Sequence, residues 1–168
     1  GNDGQIWGGE FFIFEKGRFS RTGHLDYFDL ILGDKMPKEP RIAALSVTRG
    51  IPGAEGILRL KFSDSEWYIY EKLLSRTNNL RTSSMGRLFD AVGSLLGILD
   101  VAEYEGEAPL YLEQVARRWF EVQGLGFSGT YFFGDLKAGK IHTKSLVAEI
   151  VEDILNGEPT GKIAAKFH

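Results

Sequence analysis

Four successive apolar residues, Phe11-Phe12-Ile13-Phe14, constrain this chain more than any other run in it. A strand alternates its side chains between two faces, so an unbroken apolar run asks for burial on both. The run lies in a β-prone segment, Ile6 to Phe14. Glu15-Lys16-Gly17 supplies a turn, and Arg18 to Leu25 returns as a second strand. Gly8-Gly9 weakens the first strand and marks a bulge or the close approach of another backbone. An uncovered strand edge beside exposed apolar surface is an aggregation liability. Two outcomes are therefore expected: the hairpin self-associates, which is preferred because a symmetric dimer pairs two edges at once, or the chain's own helices cover it.

The rest of the chain reads mainly as helix. Gly33 to Pro40 is a loop, and Pro40 opens a helix through Ile42, Leu45 and Val47 that ends near Gly50. Ser63 or Ser65 caps a second helix carrying Trp67, Tyr70, Leu73 and Leu74, stopped by Thr77-Asn78-Asn79. Ser83 or Ser84 caps a third, whose Leu88, Phe89, Val92, Leu95 and Leu96 form an apolar stripe closed by Gly97. Another helix spans Ala108 to Val122. Phe127 to Phe133 reads as a strand paired with Lys140 to His142. Leu146, Val147, Ile150, Val151, Ile154 and Leu155 mark the next helix, and Pro159-Thr160 opens a last one. The class is mixed α/β, in one domain with parts at about 1–60, 61–125 and 126–168.

Composition excludes several classes. The 168 residues are 43% hydrophobic and 26% charged, as in a globular protein. Net charge is −3, from 20 basic and 23 acidic residues, which gives no general attraction to nucleic acid or an anionic membrane. There is no Cys, so disulfides, thiolate metal sites and Cys nucleophiles are excluded within the chain, and a reducing cytoplasm fits. No apolar run approaches the ~20 residues that span a bilayer. No basic segment followed by an apolar one opens the chain, so no signal peptide is read. Both ends read as cuts within a longer protein.

His24, His142 and His168 are widely separated and form no His-x-x-x-His pair. No Gly-x-Ser-x-Gly elbow, GxGxxG or phosphate loop of the Gly-Lys-Ser/Thr type is present. Two constellations remain. Asp3-Gly4-Gln5-Ile6-Trp7-Gly8-Gly9-Glu10 is a Gly-rich turn whose backbone N–H groups suit a phosphate, but from this segment alone a hairpin needing small residues at a crossing is the favoured reading. Thr82-Ser83-Ser84-Met85-Gly86-Arg87-Leu88-Phe89-Asp90 places a hydroxyl cap and a small Gly at a helix N-terminus, where anions are favoured. There Asp90, on the exposed side, is either a ribose-hydroxyl acceptor or a solvated residue. A third, weaker signal is the acidic stretch Glu103-Tyr104-Glu105-Gly106-Glu107, a solvated loop by default.

Taken together and in order, Asp-Gly-x-Ile-Trp-Gly-Gly-Glu at 3–10, Glu-Pro-x-x-x-Ala-Leu at 39–45, Thr-Ser-Ser-Met-Gly-Arg-Leu-Phe-Asp-Ala-Val at 82–92, Tyr-Glu-Gly-Glu-Ala at 104–108 and Ile-Ala-Ala-Lys-Phe-His at 163–168 resemble the HypF family. These are the carbamoyltransferases of nickel–iron hydrogenase maturation. The resemblance implies the middle of a C-terminal domain similar to the threonylcarbamoyl-transfer proteins, part of a two-lobed actin/Hsp70/sugar-kinase fold. It implies that the parent makes carbamoyl-adenylate from carbamoyl phosphate and ATP and passes the carbamoyl group to the C-terminal Cys of HypE. The divalent metal of such a parent has its ligands outside this chain, so the chain alone is expected to be inactive and to bind ATP weakly.

Residue roles carry over only where motifs match. Gly86-Arg87-Leu88-Phe89-Asp90 resembles the family's nucleotide helix, so Asp90 and Gly86 are expected at the nucleotide. Tyr104-Glu105-Gly106-Glu107 resembles the Tyr-Pro-Gly-Gly turn with two positions changed, and Glu113 resembles a later Glu. The spacing makes Gly106 the closer match of those two. Asp3, Gly4, Glu10, Arg87 and Glu107 are expected along the same cleft, with Arg87 reaching an adenylate phosphate or forming a surface salt bridge. If Asp90 is exposed, its loss should cost well under about 1 kcal/mol of stability. Two other readings stand beside this one: an O-carbamoyltransferase of related fold, and a non-catalytic α/β ligand-binding or interaction module.

Overall fold

The computed structural model describes residues 1–124, 129–132 and 139–168. In order these form β1 (Glu10–Glu15), β2 (Arg18–Leu25), β3 (Phe28–Asp29), a 3-10 segment over Gly33–Lys38, α1 (Pro40–Val47) and α2 (Ala54–Leu58), which runs into a short 3-10 turn. There follow α3 (Asp64–Leu74), β4 (Arg81–Thr82), α4 (Met85–Leu95), α5 (Glu107–Gln123), β5 (Lys140–Ile141), α6 (Thr143–Leu155) and α7 (Thr160–Phe167). The class is mixed α/β. β2 is the centre of a small sheet, antiparallel to β1 and parallel to β5, and β3 pairs antiparallel with β4. Among the described residues no helix is long and apolar enough to cross a membrane.

Local chemistry accounts for the helix starts. Pro40 occupies the first turn of α1, where its missing N–H costs nothing. Ser63 and Glu66 close a reciprocal capping box on α3. Ser84 accepts the Arg87 amide at 3.3 Å and caps α4. The centre of the core is α1, whose residues Ile42 to Val47 are all buried and which packs on α4. An eight-residue helix buried on all sides has no polar face, and its sequence, Pro-Arg-Ile-Ala-Ala-Leu-Ser-Val, matches that demand. On its other flank α4 meets α5, where a Cβ at Gly93 would lie 3.2 Å from Ala108 Cβ.

Three expectations need correction. The first strand begins at Glu10 and not at Ile6, which makes only an isolated bridge to Thr82. The cause is the Gly8-Gly9 pair. The Gly8 carbonyl accepts the Met85 amide at 3.2 Å, and a Cβ at Gly8 would stand 3.0 Å from Ser84 Cα. The segment before Glu10 therefore crosses the entrance to α4 as a close backbone approach, while the bulge sits further on, between Phe11 and Phe12. Secondly, Gly33–Lys38 is 3-10 helix and not irregular loop. Thirdly, the helices do not cover the hairpin: Phe11, Phe12, Ile13 and Phe14 are 42%, 49%, 50% and 60% exposed, on the edge strand of the sheet. The strand expected over Phe127–Phe133 falls partly outside the described residues. Within them Gly129–Phe132 form no strand, and Lys140–Ile141 pair with β2 instead.

Gly9 is the tightest point of the crossing, since a Cβ there would collide with the Ser83 carbonyl and the Leu25 side chain. Gly9→Ala is expected to destabilise by about 1–3 kcal/mol through overpacking. Gly56→Ala, in α2 with open space around it, should be neutral or gain up to about 1 kcal/mol. Urea unfolding of both variants checks the contrast.

Candidate functional site

The crossing sets the geometry of the α4 N-terminus. Ile6 donates to the Arg81 carbonyl at 2.9 Å, Ser83 donates back to the Ile6 carbonyl at 3.1 Å, and the Ser83 hydroxyl donates to the Glu10 carboxylate. This brings the Asp3–Glu10 segment and the Ser83–Asp90 segment side by side. Gly86 lies at the opening of α4 with only the Ser84 hydroxyl near a would-be Cβ, at 3.7 Å, so its surface is uncovered.

One turn further in, the structure departs from expectation. Asp90 is not on an exposed face: it is 1% exposed, and its carboxylate faces the Arg87 Nε at 3.0 Å. Arg87 is itself buried, so its pair with Asp90 is internal and not a surface salt bridge. Its other arm reaches Glu105 at 3.1 Å, and Glu105 is largely exposed at the rim. Burial pushes the Asp90 carboxyl up, Arg87 pulls it back and Glu105 adds to the rise, leaving it at about 6. Gly106 follows Glu105 directly, caps α5 with φ 90°, and has open space around it. Gly86, Arg87, Asp90 and the Gly106 turn are thus joined through one guanidinium.

The remaining expected residues divide. Asp3 accepts from the Tyr27 hydroxyl at 2.6 Å, the Trp7 ring N–H at 2.9 Å and the Gln5 amide at 3.2 Å, and pairs with Arg21. The Tyr27 hydrogen bond above all, with the others, outweighs desolvation and holds its carboxyl well below the usual carboxylate range. Glu10 is tied to Arg21 at 3.1 Å and to the Gly9 amide at 3.0 Å. Gly4 lies in the turn beside Asp3, with φ 76° and open surroundings. Glu107 is buried and accepts the Glu103 amide at 2.7 Å, which ties down the loop before α5. Glu113 stands exposed on α5, two turns beyond Gly106. Among the described residues, no group of three or more His, Asp or Glu is arranged to hold a metal ion.

Residues 1–168 match, from end to end, the family described as carbamoyltransferase, Kae1-like domain, second subdomain. The chain is 34% identical to the probable carbamoyltransferase HypF of Methanocaldococcus jannaschii and 32% identical to the carbamoyltransferase HypF of Rhizobium leguminosarum bv. viciae, with 100% of this chain covered in each. It covers 22% and 21% of those proteins, so it spans about a fifth of their length. The solved structure of full-length HypF in its phosphate- and nucleotide-bound form superposes on all of this chain, over 22% of its own, with a TM-score of 0.83 at 28% identity. The crystal structure of T. kodakarensis HypF covers 96% of this chain, and 22% of its own, with a TM-score of 0.76 at 27% identity. The chain belongs to the HypF family.

Sequence reading missed Arg21 and Tyr27 in this HypF subdomain. Arg21 stacks 4.1 Å from the Trp7 ring centroid and bridges Asp3, Glu10 and Tyr27. A lone Arg in a β-strand carries no motif. The usable signal was the surplus of acid in Asp3 and Glu10, which demands a cation nearby.

Asp90→Ala is expected to lower stability by about 1–3 kcal/mol, because it takes the buried acid from Arg87 and leaves the guanidinium to Glu105 at the rim. The sign of the pH dependence is fixed by the raised carboxyl. The native state holds the proton more tightly than the unfolded chain, so this contribution is full below about pH 3.8 and lost as pH rises through about 6. The stability difference between the parent chain and Asp90→Asn, measured by denaturation from pH 4 to 8, should bend in that window.

Proposed function

We propose that this chain forms part of a carbamoyltransferase that takes carbamoyl-adenylate, made from carbamoyl phosphate and ATP, and carbamoylates the C-terminal Cys thiolate of HypE during nickel–iron hydrogenase maturation. The observation that carries the reading is the end-to-end match to the second subdomain of the Kae1-like carbamoyltransferase domain. In the transfer, the thiolate attacks the carbamoyl carbon, a C–S bond forms, the C–O bond to the phosphate breaks and AMP leaves. This chain's contribution is to bind and orient. The uncovered Gly86 at the α4 N-terminus admits a phosphate or ribose edge, the Gly106 turn admits another, and Arg87 supplies a cation between them.

Asp90 then acts in one of two ways on the same geometry: directly on ribose hydroxyls after the Arg87 pair opens, or as the residue that holds Arg87 in place. On this proposal the protein works in the cytoplasm, and the divalent metal of the parent is held by residues outside this chain. The isolated chain, holding part of a nucleotide site, is expected to bind ATP weakly. Self-association through the uncovered β1 edge belongs to the same proposal. Sedimentation at several concentrations should show mass rising with concentration, and a constant monomer mass would remove that part.

In the full-length protein, Gly106→Val and Asp90→Asn are expected to lower carbamoyl transfer to HypE by tenfold or more. Gly106→Val puts a β-branched residue at φ 90°, so its melting temperature should fall as well, and transfer is compared at a temperature where both variants stay folded. Parental transfer rates in both variants would overturn the placement of the nucleotide. A raised KM for ATP with kcat unchanged would mark Asp90 as a direct contact and not a positioning residue.

A further inference from the structure

We propose that the cavity between the β3–β4 pair, the end of α1 and the N-terminus of α6 binds a small phosphate-type oxyanion, at a place separate from the Arg87 group. The cavity measures about 190 Å³ and is lined by residues from five stretches of chain, among them Asp29, Arg49, Arg81, Thr143 and Lys144. Three cations reach it from three elements: Arg49 from the loop after α1, Arg81 from β4 and Lys144 from α6. The acids present are already engaged. Asp29 pairs with Arg49 at 3.5 Å, and Asp26 faces the His142 ring at 3.3 Å. Lys144 has no carboxylate partner among the described residues, and Arg81 spends its guanidinium on the Tyr27 carbonyl.

Two independent features point to an anion. α6 is thirteen residues long, its N-cap His142 makes no side-chain capping bond, and its first two residues, Thr143 and Lys144, line the cavity, so the positive end of the helix borders it. Thr143, at the first helical position, is 3% exposed, and its hydroxyl is buried with no hydrogen-bond partner. An orphaned buried hydroxyl is costly, and an acceptor in the cavity it lines would satisfy it. A carboxylate offers two oxygens. Three cations converging from separate elements, with a hydroxyl beside a helix end, suit a tetrahedral anion with more acceptors. The cavity leaves room for a short ester substituent.

The test is amide NMR of the full chain titrated with inorganic phosphate and, separately, with methyl phosphate, at constant ionic strength in chloride. The expected result is saturable shifts centred on the Thr143 and Lys144 amides. Lys144→Ala should weaken binding tenfold or more and Thr143→Val about threefold, with both melting within a few degrees of the parent. Tighter binding of methyl phosphate assigns an ester, and equal or weaker binding assigns free phosphate. Should Thr143→Val fail to fold, Arg49→Gln, at a half-exposed residue, replaces it and should also weaken binding. Unsaturable shifts, shifts centred on Gly86 and Arg87, or affinities unchanged in the variants would overturn the proposal.

Discussion

The crossing of Gly8-Gly9 over Ser83-Ser84 is the contact on which the rest of the molecule depends. Backbone meets backbone there with no side chain between, and the hydrogen bonds run both ways: the Ile6 amide donates to Arg81, while Ser83 donates to Ile6, Met85 to Gly8, and Leu25 to Gly9 from the hairpin side. Every buried N–H must find an acceptor, and at this junction acceptors come from a different segment and not from a regular ladder. The hairpin is thereby fixed to the entrance of α4, and α4 in turn lies between α1 and α5. The orientation of the Gly86 opening is a consequence of that junction and not of α4 alone.

Much of the fold was legible because it is written in local chemistry. Pro40, the Ser63–Glu66 box, Ser84 and Asn156-Gly157 each satisfy or end a helix through groups a few residues away, so their positions can be read from sequence. What was not legible depends on partners distant in the chain. Lys140–Ile141 pairs with β2 in parallel, and the pairing residues are more than a hundred positions apart. The four-residue apolar run asks for burial on both faces, and within this chain neither face receives it. On the edge of a three-stranded sheet they stay open in this chain.

The candidate site shows the same division more sharply. The motif from Ser84 to Asp90 located the helix start and its open Gly. The stripe Leu88, Val92, Leu95 then suggested a single buried face, which left Asp90 outside. In fact α4 is packed on two flanks, with Gly93 against Ala108 marking the second, and Arg87, Asp90 and Ser94 are buried with it. A second packing face made of small and charged residues leaves no hydrophobic periodicity to read. Arg21 escaped for a related reason: its three polar partners lie 6, 11 and 18 residues away and belong to no single motif.

Arg87 holds two acids of unequal cost. Asp90 is inside, where breaking the pair leaves an uncompensated charge, while Glu105 is 76% exposed, where an ion pair is worth little. An anion arriving beside Arg87 therefore competes with Glu105 and not with Asp90. Displacing Glu105 would free the residue that immediately precedes Gly106, so on the proposed reading the Arg87–Glu105 pair is the low-cost link between the α4 opening and the Gly106 turn. Losing the Glu105 charge from beside Asp90 also removes one of the causes of its raised pKa. The incoming anion puts back a negative charge of its own, so the two acids and the ligand form one coupled set around a single guanidinium. Within that set the buried member fixes the geometry and the exposed member is the one that yields.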